Sequence, residues 1–224
     1  MDIQEELFFQ KDEGYKKFQE KIIPNIDPDT IIGVRMPEIK RIAKEWARRE
    51  EVELFLGDLP HKYYEENQLH CQILVYENNF FQAQKKVESL LPYLDNWALT
   101  DGFVPRAFKK EKKSTWDLAK KWVCSSEEYT IRYGILLMMK LHLKSDFWKE
   151  AMREVAGISS EFYYVNMAIA WFFAEALFYY EEETIDLYKK RILSPWVQNK
   201  SIQKARESRR ISQELKEKLK DYKR

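Results

Sequence analysis

The sequence predicts an all-α fold built from repeated antiparallel helix pairs, and three observations support this prediction. Apolar residues recur with helical spacing along most of the 224 residues, and no segment alternates convincingly with the period of two that is typical of a strand. The chain has only 6 glycines beside a charged fraction of 33%. That composition favours helices with long solvated faces over sheets that need tight turns.

The expected helices follow one another with short connections. A proline in the first turn opens the first helix, an Asp58-Leu59-Pro60 break follows it, and Asp95 and Asn96 are expected to cap the start of the fourth. Helices of about 10–20 residues without a flexible linker indicate stacked pairs rather than a four-helix bundle, which needs fewer helices. The expected ranges are 36–47, 63–76, 80–91, 97–108, 114–124, 127–143, 147–155, 160–180, 184–190, 199–206 and 211–222.

Charge is unevenly distributed, although the formal net charge is only +1. Residues 1–30 carry a net charge of −4, whereas residues 105–121 carry +5 and residues 198–224 carry +6. Either basic cluster alone fits a solvated helix face. The two together favour a side of the molecule that faces phosphate groups. The candidate phosphate-binding residues are Arg106, Lys109, Lys110 and Lys113.

The composition also excludes several classes of protein. Cys71 and Cys124 are isolated, and with only 3 histidines they leave little from which to build a zinc site. No glycine-rich loop that cradles nucleotide phosphates is present, and no apolar run approaches the ~20 residues that a membrane helix needs. We therefore expect a cytoplasmic protein with neither metal nor cofactor.

Four residues are of types that a purely structural helix does not require, and three of them are separated by about one HEAT-like repeat. Trp97 and Asp101 lie four residues apart, hence on one helical face. Arg132 follows Trp97 by 35 residues, and Trp171 follows Arg132 by 39 residues, which is close to the period of about 40 in HEAT-like repeats. Equivalent positions of successive repeats line one concave surface. The spacing therefore predicts a HEAT-like (ARM-type) solenoid over residues 1–224 as one domain, with a concave basic groove.

Each of these residues also has a purely structural interpretation. The two tryptophans fit a core, Asp101 fits a solvated acid or an ion-pair partner, and Arg132 fits a bond to a carboxylate inside the stack. For other residues the structural interpretation is preferred. Glu65 and Glu66 are expected on a solvated helix face, and the remaining tryptophans in the core, namely Trp46, Trp116, Trp122, Trp148 and Trp196.

Several stretches, in this order, resemble the signature segments of AlkD-type DNA alkylation repair proteins. They are Gly33-Val34-Arg35-Met36-Pro37, Asp95-Asn96-Trp97 with Asp101, Arg132, and Ala168-Ile169-Ala170-Trp171. The resemblance covers roughly residues 30–210. It implies a DNA glycosylase that excises cationic N3- and N7-alkylpurines from duplex DNA without metal or cofactor. Because a solenoid of this size can stand alone, we expect a monomer, associated with the nucleoid during repair.

The resemblance also assigns roles to individual positions. Asp101 matches the catalytic carboxylate, Trp97 and Trp171 match two aromatic residues of the cleft, and Arg132 matches an arginine that contacts the DNA backbone beside the lesion. These residue types suit the chemistry. A carboxylate stabilises positive charge that develops on deoxyribose, indole faces attract cations, and an arginine fork holds a phosphate.

Two further functions compete with the glycosylase. The first is a non-catalytic HEAT-like protein that recognises damaged or distorted DNA. The second is a HEAT-like scaffold whose concave face binds protein. A carboxylate at position 101 favours catalysis, since its charge weakens phosphate binding. The basic clusters disfavour the protein scaffold, which needs an exposed apolar groove.

Overall fold

The computed structural model describes residues 2–224, and every regular element in that range is helical. The helices pack in the repeat-like manner of a HEAT-like fold, which confirms the predicted fold class. By its internal contacts the chain divides into two compact units, residues 1–111 and 112–224. The single domain and the concave groove stay predictions.

The first unit contains eight α-helices within its described residues. Helices α3 and α5 make its main pair, and α1 and α6 pack beside α5. Their bounds are α1 Ile3–Phe9, α2 Glu13–Ile22, α3 Met36–Trp46, α4 Val52–Gly57, α5 Tyr64–Leu74, α6 Phe80–Leu90, α7 Trp97–Asp101 and α8 Arg106–Lys110.

In the second unit, α10 packs between α9 and α12, and α12 packs in turn against α14. This layered arrangement explains why α10 and α12 are apolar almost all round, since each has a neighbour on more than one side. The bounds are α9 Lys112–Val123, α10 Glu128–Leu137, α11 Trp148–Gly157, α12 Tyr163–Tyr179, α13 Glu181–Lys189, α14 Pro195–Glu207 and α15 Gln213–Lys218.

Close packing of α9 on α10 depends on a glycine. A Cβ added at Gly134 would lie 2.8 Å from Cγ1 of Val123 and 3.0 Å from the carbonyl oxygen of Ala119. Both distances are shorter than ordinary van der Waals contact. The backbones of the two helices can therefore approach as they do only because position 134 has no side chain.

The predicted helices are confirmed with two differences. Short helices α1, α2 and α4 were not predicted. The helix expected at 97–108 is wrong as one element, because it ends at Asp101 and resumes at Arg106. Pro105 explains the break, since proline lacks the N–H that a continuing helix needs and disfavours helical backbone in the residue before it.

The expectation for Glu65 and Glu66 is also wrong, because both are buried, at 0% and 4% exposure. The Glu65 carboxylate accepts backbone N–H groups of Ile32 at 2.8 Å, Gly33 at 2.7 Å and Val34 at 3.2 Å. Burial raises the pKa of Glu65, and the three N–H donors oppose that rise. The carboxylate thus organises the loop that leads into α3.

Candidate nucleic-acid interface

Helix α7 is positioned at both ends by hydrogen bonds. At its start, the buried side chain of Asn96 accepts the N–H groups of Ala98 at 3.0 Å and Leu99 at 3.2 Å, which confirms the predicted N-cap. At its end, Nε2 of Gln72 donates to the carbonyl oxygen of Gly102 at 3.0 Å. A helix of only five residues is therefore held firmly enough to present its side chains in a defined direction.

Trp97 lies on this helix and is partly exposed. Its indole Nε1 donates a hydrogen bond of 3.2 Å to the carbonyl oxygen of Ile22, at the end of α2. A second bond joins the same two segments, from Nδ2 of Asn25 to the carbonyl oxygen of Asp95 at 2.7 Å. The ring is thus fixed by its edge while part of its surface stays accessible, which is not the fully buried position of a core tryptophan.

Asp101 is the last residue of α7 and is partly buried. The hydroxyl of Thr100 lies 3.0 Å from Oδ1 of Asp101 and 3.1 Å from the carbonyl oxygen of Trp97. Its one proton can be donated to either acceptor. The structure therefore places an oriented carboxylate and a partly exposed indole on the same short helix, as the four-residue spacing predicts.

The predicted basic residues of the first unit lie on α8. The N–H groups of Arg106 and Ala107 donate to the carbonyl oxygens of Val75 at 3.1 Å and Glu77 at 3.0 Å, which attaches the start of α8 to the chain just after α5. The Arg106 guanidinium lies 4.7 Å from the centre of the Tyr76 ring. Such a contact limits the motion of an exposed arginine and leaves its N–H edge available to an anion.

Three further lysines of the first basic cluster are exposed. Lys109 and Lys110 end α8, where positive charge is favourable, and Nζ of Lys110 donates to Oδ1 of Asn78 at 3.2 Å. Lys113 lies in the first turn of α9, in the second unit, where positive charge is unfavourable. Helix stability therefore does not explain a lysine at position 113.

In the second unit, Arg132 is buried, with 5% of its surface exposed. Its Nη1 donates to the carbonyl oxygen of Tyr164 at 2.8 Å, and Oε1 of Glu128 accepts the N–H of the same residue, also at 2.8 Å. Two side chains one turn apart on α10 thus hold the first turn of α12. The structural interpretation expects Arg132 to bind a carboxylate inside the stack. The acceptor of this hydrogen bond is instead a backbone carbonyl group.

Trp171 lies two turns further along α12 and is partly exposed. Residues on either side of it are buried, including Ala170 and Phe172 at 0% exposure each. Arg132 and Trp171 are therefore on neighbouring helices of the second unit, and Trp171 is not wholly enclosed in the core.

The prediction of a core position holds for most of the other tryptophans but is wrong for Trp196. Trp46, Trp116 and Trp122 are buried, and Trp148 is partly buried, whereas 42% of Trp196 is exposed. Trp196 is the second residue of α14, and its ring contacts that of Tyr163 edge to face at 5.8 Å. The physical reason is local, since a side chain so close to the start of a helix points past its end.

Within residues 2–224 no helix is long and apolar enough to span a membrane, and no three histidine, cysteine, aspartate or glutamate side chains are grouped as a metal site.

Comparison with known proteins adds one positive result. No curated protein matches this chain significantly. The sequence profile described as DNA alkylation repair enzyme matches residues 3–204, nearly the whole sequence, and the chain therefore belongs to the DNA alkylation repair enzyme family.

Proposed function

We propose that this protein is a monofunctional DNA glycosylase that excises cationic N3- and N7-alkylpurines from duplex DNA, acting as a monomer without metal or cofactor. The observation that carries the proposal is the Asp101 carboxylate, which is oriented beside the Thr100 hydroxyl on the helix that also presents Trp97. Family membership gives a role in DNA alkylation repair. The carboxylate supplies the chemistry.

An alkylated purine needs no general acid. Its positive charge already weakens the glycosidic bond between C1′ and the base nitrogen, so the base departs with the bonding electron pair and becomes neutral. The deoxyribose then carries positive charge, as in glycoside hydrolysis. A carboxylate at Asp101 stabilises that charge and accepts a proton from the water that attacks C1′. The products are the free base and an abasic site.

Trp97 complements this carboxylate. The quadrupole of an indole face attracts cations by about 0.5–2 kcal/mol, and both the substrate base and the transition-state sugar are cationic. Because the indole edge is fixed to the carbonyl oxygen of Ile22, the face needs no reorganisation when DNA binds. By the family resemblance, we propose an equivalent role for Trp171.

The basic residues supply electrostatic attraction. We propose that Arg106, Lys109, Lys110 and Lys113 contact phosphates, since all four are exposed and phosphate contacts provide most of the sequence-independent affinity for DNA. Arg132 has a different position, because it is buried and holds the first turn of α12. We propose that it contacts one phosphate beside the lesion and that it shapes this turn at the same time.

Base release tests the proposal directly. Purified protein is incubated with duplex DNA carrying N3-methyladenine and N7-methylguanine, and the free bases are separated and quantified in the presence and absence of a chelator. We expect release of both methylpurines, unaffected by the chelator, and abasic sites in equal amount. A protein that leaves these bases in the DNA under all conditions contradicts the proposal.

A non-catalytic DNA-binding protein is the second candidate function. The small net charge of +1 favours neither candidate, but the exposed lysine in the first turn of α9 suits DNA binding alone as well as catalysis. The two candidates differ at Asp101. If the protein only binds, neither the wild type nor Asp101→Asn releases a base from any alkylated duplex, although both bind DNA. If it is a glycosylase, the wild type releases the base and Asp101→Asn loses most of that release.

A further inference from the structure

A cavity of about 530 Å³ lies within the second unit, between the loop that joins α11 to α12 and the loop that joins α13 to α14. Its volume is typical of sites for small molecules. The partly polar lining includes Ser159, Ser160, Glu161, Asn166, Ser194 and Trp196. Nothing in the proposed base-release chemistry uses these residues.

One wall of the cavity is the exposed indole of Trp196. Its ring contacts the ring of Tyr163, of which 55% is exposed, and Tyr163 contacts Tyr164 at 5.1 Å. Tyr164 in turn lies 5.7 Å from Tyr129. A row of aromatic rings therefore follows the first turns of α10, α12 and α14, and its most exposed members are Tyr163 and Trp196.

Polar groups in the cavity present acceptors. Nδ2 of Asn166 donates to the carbonyl oxygen of Ser160 at 2.8 Å, which orients the amide, and no group of residues 2–224 donates to its Oδ1. The carboxylate of the exposed Glu161 is a second acceptor. A ligand that suits this lining has a flat aromatic face and an N–H donor at its rim.

Adenine, cytosine and guanine have that combination, because each carries an exocyclic amino group. A cation for the attached phosphate is also near. Nζ of Lys200 lies 5.7 Å from the centre of the Trp196 ring and donates to Oε1 of Gln203, a bond that it can exchange for a phosphate oxygen. A nucleotide therefore matches the aromatic ring, the hydrogen-bond acceptors and the nearby positive charge at this cavity.

We propose that this cavity binds one unpaired nucleotide of a DNA strand, with the base stacked on Trp196 and its amino group directed at Asn166 and Glu161. A stacked partner requires a base whose face is free, so the site selects bases that have left the duplex. The inference rests on the proposed function only in taking DNA as the ligand. Arg132 supports that choice, because the same first turn of α12 carries both its acceptor, Tyr164, and Tyr163.

The test compares two duplexes that contain no alkylated base and differ in one group. Each carries a single-nucleotide bulge, which is an adenosine in one and an abasic tetrahydrofuran spacer in the other. Charge and bulge length are matched, so the ratio of the two dissociation constants reports the effect of the base. We expect wild-type protein to bind the adenosine bulge about 5- to 100-fold more tightly. No alkylated base is present, so a failure of glycosylase activity does not affect the result.

Variants locate the effect. Trp196→Ala should bring the ratio close to 1, and Trp196→Phe should keep most of it, because phenylalanine retains a stacking face. Phe81, of which 79% is exposed, lies in the first unit, and Phe81→Ala is the control that should leave the ratio unchanged. Circular dichroism checks that each variant is folded.

Three outcomes overturn the proposal. The first is a wild-type ratio near 1, and the second is a ratio that survives Trp196→Ala. The third concerns the source of the nucleotide and is measured by titration with free deoxyadenosine monophosphate. Micromolar binding of this free nucleotide, lost in Trp196→Ala while the two bulges bind equally, assigns the cavity to a soluble nucleotide and not to a DNA strand.

Discussion

The indole Nε1 of Trp97 donates a 3.2 Å hydrogen bond to the carbonyl oxygen of Ile22, and this bond joins α7 to the end of α2. Residues separated by 75 positions thus fix the orientation of the candidate aromatic residue. The bond uses the edge of the ring and leaves the face for a cation.

Two substitutions at Trp97 distinguish the role of its indole N–H from the role of its ring face. Trp97→Phe removes the donor but keeps an aromatic face, and we expect it to lower the free energy of unfolding by about 0.5–1.5 kcal/mol. Trp97→Ala also removes the face, and should lower the single-turnover rate of base release about 2- to 30-fold below that of Trp97→Phe. Equal rates for the two variants would show that the ring face takes no part in the reaction.

Stability should fall in acid because of a buried histidine pair. Burial lowers the pKa of His70 to about 3, and Nδ1 of His70 lies 2.9 Å from Nε2 of His61. The folded protein therefore keeps His70 neutral, while the unfolded chain protonates it near its ordinary value of 6.5. The unfolded state binds more protons between these values, so stability is lost as pH falls below about 6.5.

His70→Gln tests this assignment, because glutamine is polar but does not titrate. Thermal unfolding is followed between pH 7.5 and pH 4.5. We expect the wild-type free energy of unfolding to fall by up to ~1.4 kcal/mol per pH unit from this group, and the variant to show a shallower slope. His142, whose pKa burial lowers to about 4, keeps part of the slope in both proteins. Identical slopes would place the acid sensitivity elsewhere.

The close approach of α9 and α10 predicts that a single methyl group added at position 134 lowers the stability of the protein. Gly134→Ala places a Cβ 2.8 Å from Cγ1 of Val123, and the helices must separate to accept it. We expect the free energy of unfolding to drop by about 1–3 kcal/mol. Gly157→Ala is the matched control, since nothing lies within 4 Å of its Cβ. That change should be neutral or slightly stabilising, by at most ~1 kcal/mol. Denaturant unfolding of both variants measures the difference.

Salt dependence of DNA binding should identify the phosphate contacts. Replacing Arg106 or Lys113 by alanine removes a cation from an exposed position, so stability should change little. Each loss should reduce the slope of log K against log salt concentration by about 0.9 if the residue contacts one phosphate. Lys40→Ala, an exposed lysine on α3, is the control expected to leave the slope unchanged. Unaltered slopes for both test variants would assign these residues to solvated faces.

The sequence predicts the repeat fold well because the signal is local. Helices such as α3 bury residues at helical spacing, here Ile39, Ile42, Ala43 and Trp46, and this periodicity is visible without tertiary information. Helices α1 and α2 lack so clear a signal, because they expose large apolar residues such as Phe9 and Phe18. Helix α1 has only seven residues, and the only buried residue of α2 is the polar Gln19.

Long-range partners explain what the sequence could not predict. Glu65 lies in an acidic stretch that is typical of a solvated surface, and the donors that justify its burial are 31 to 33 residues away. Trp196 fails in the opposite direction and for a local reason. It is the second residue of α14, so its ring points past the start of the helix and not into the apolar stripe that the sequence suggests.

The central claim concerns Asp101, and the most direct measurement is the single-turnover rate of N3-methyladenine release by Asp101→Asn at saturating enzyme, with the dissociation constant of the same duplex determined in parallel. Asp58→Asn, a change at an exposed carboxylate after α4, is the control for the loss of one charge. We predict that Asp101→Asn lowers the rate by about 10²–10³-fold while DNA binding is retained or strengthened. A rate within a few-fold of wild type would contradict the account, because the carboxylate would then have no part in base release.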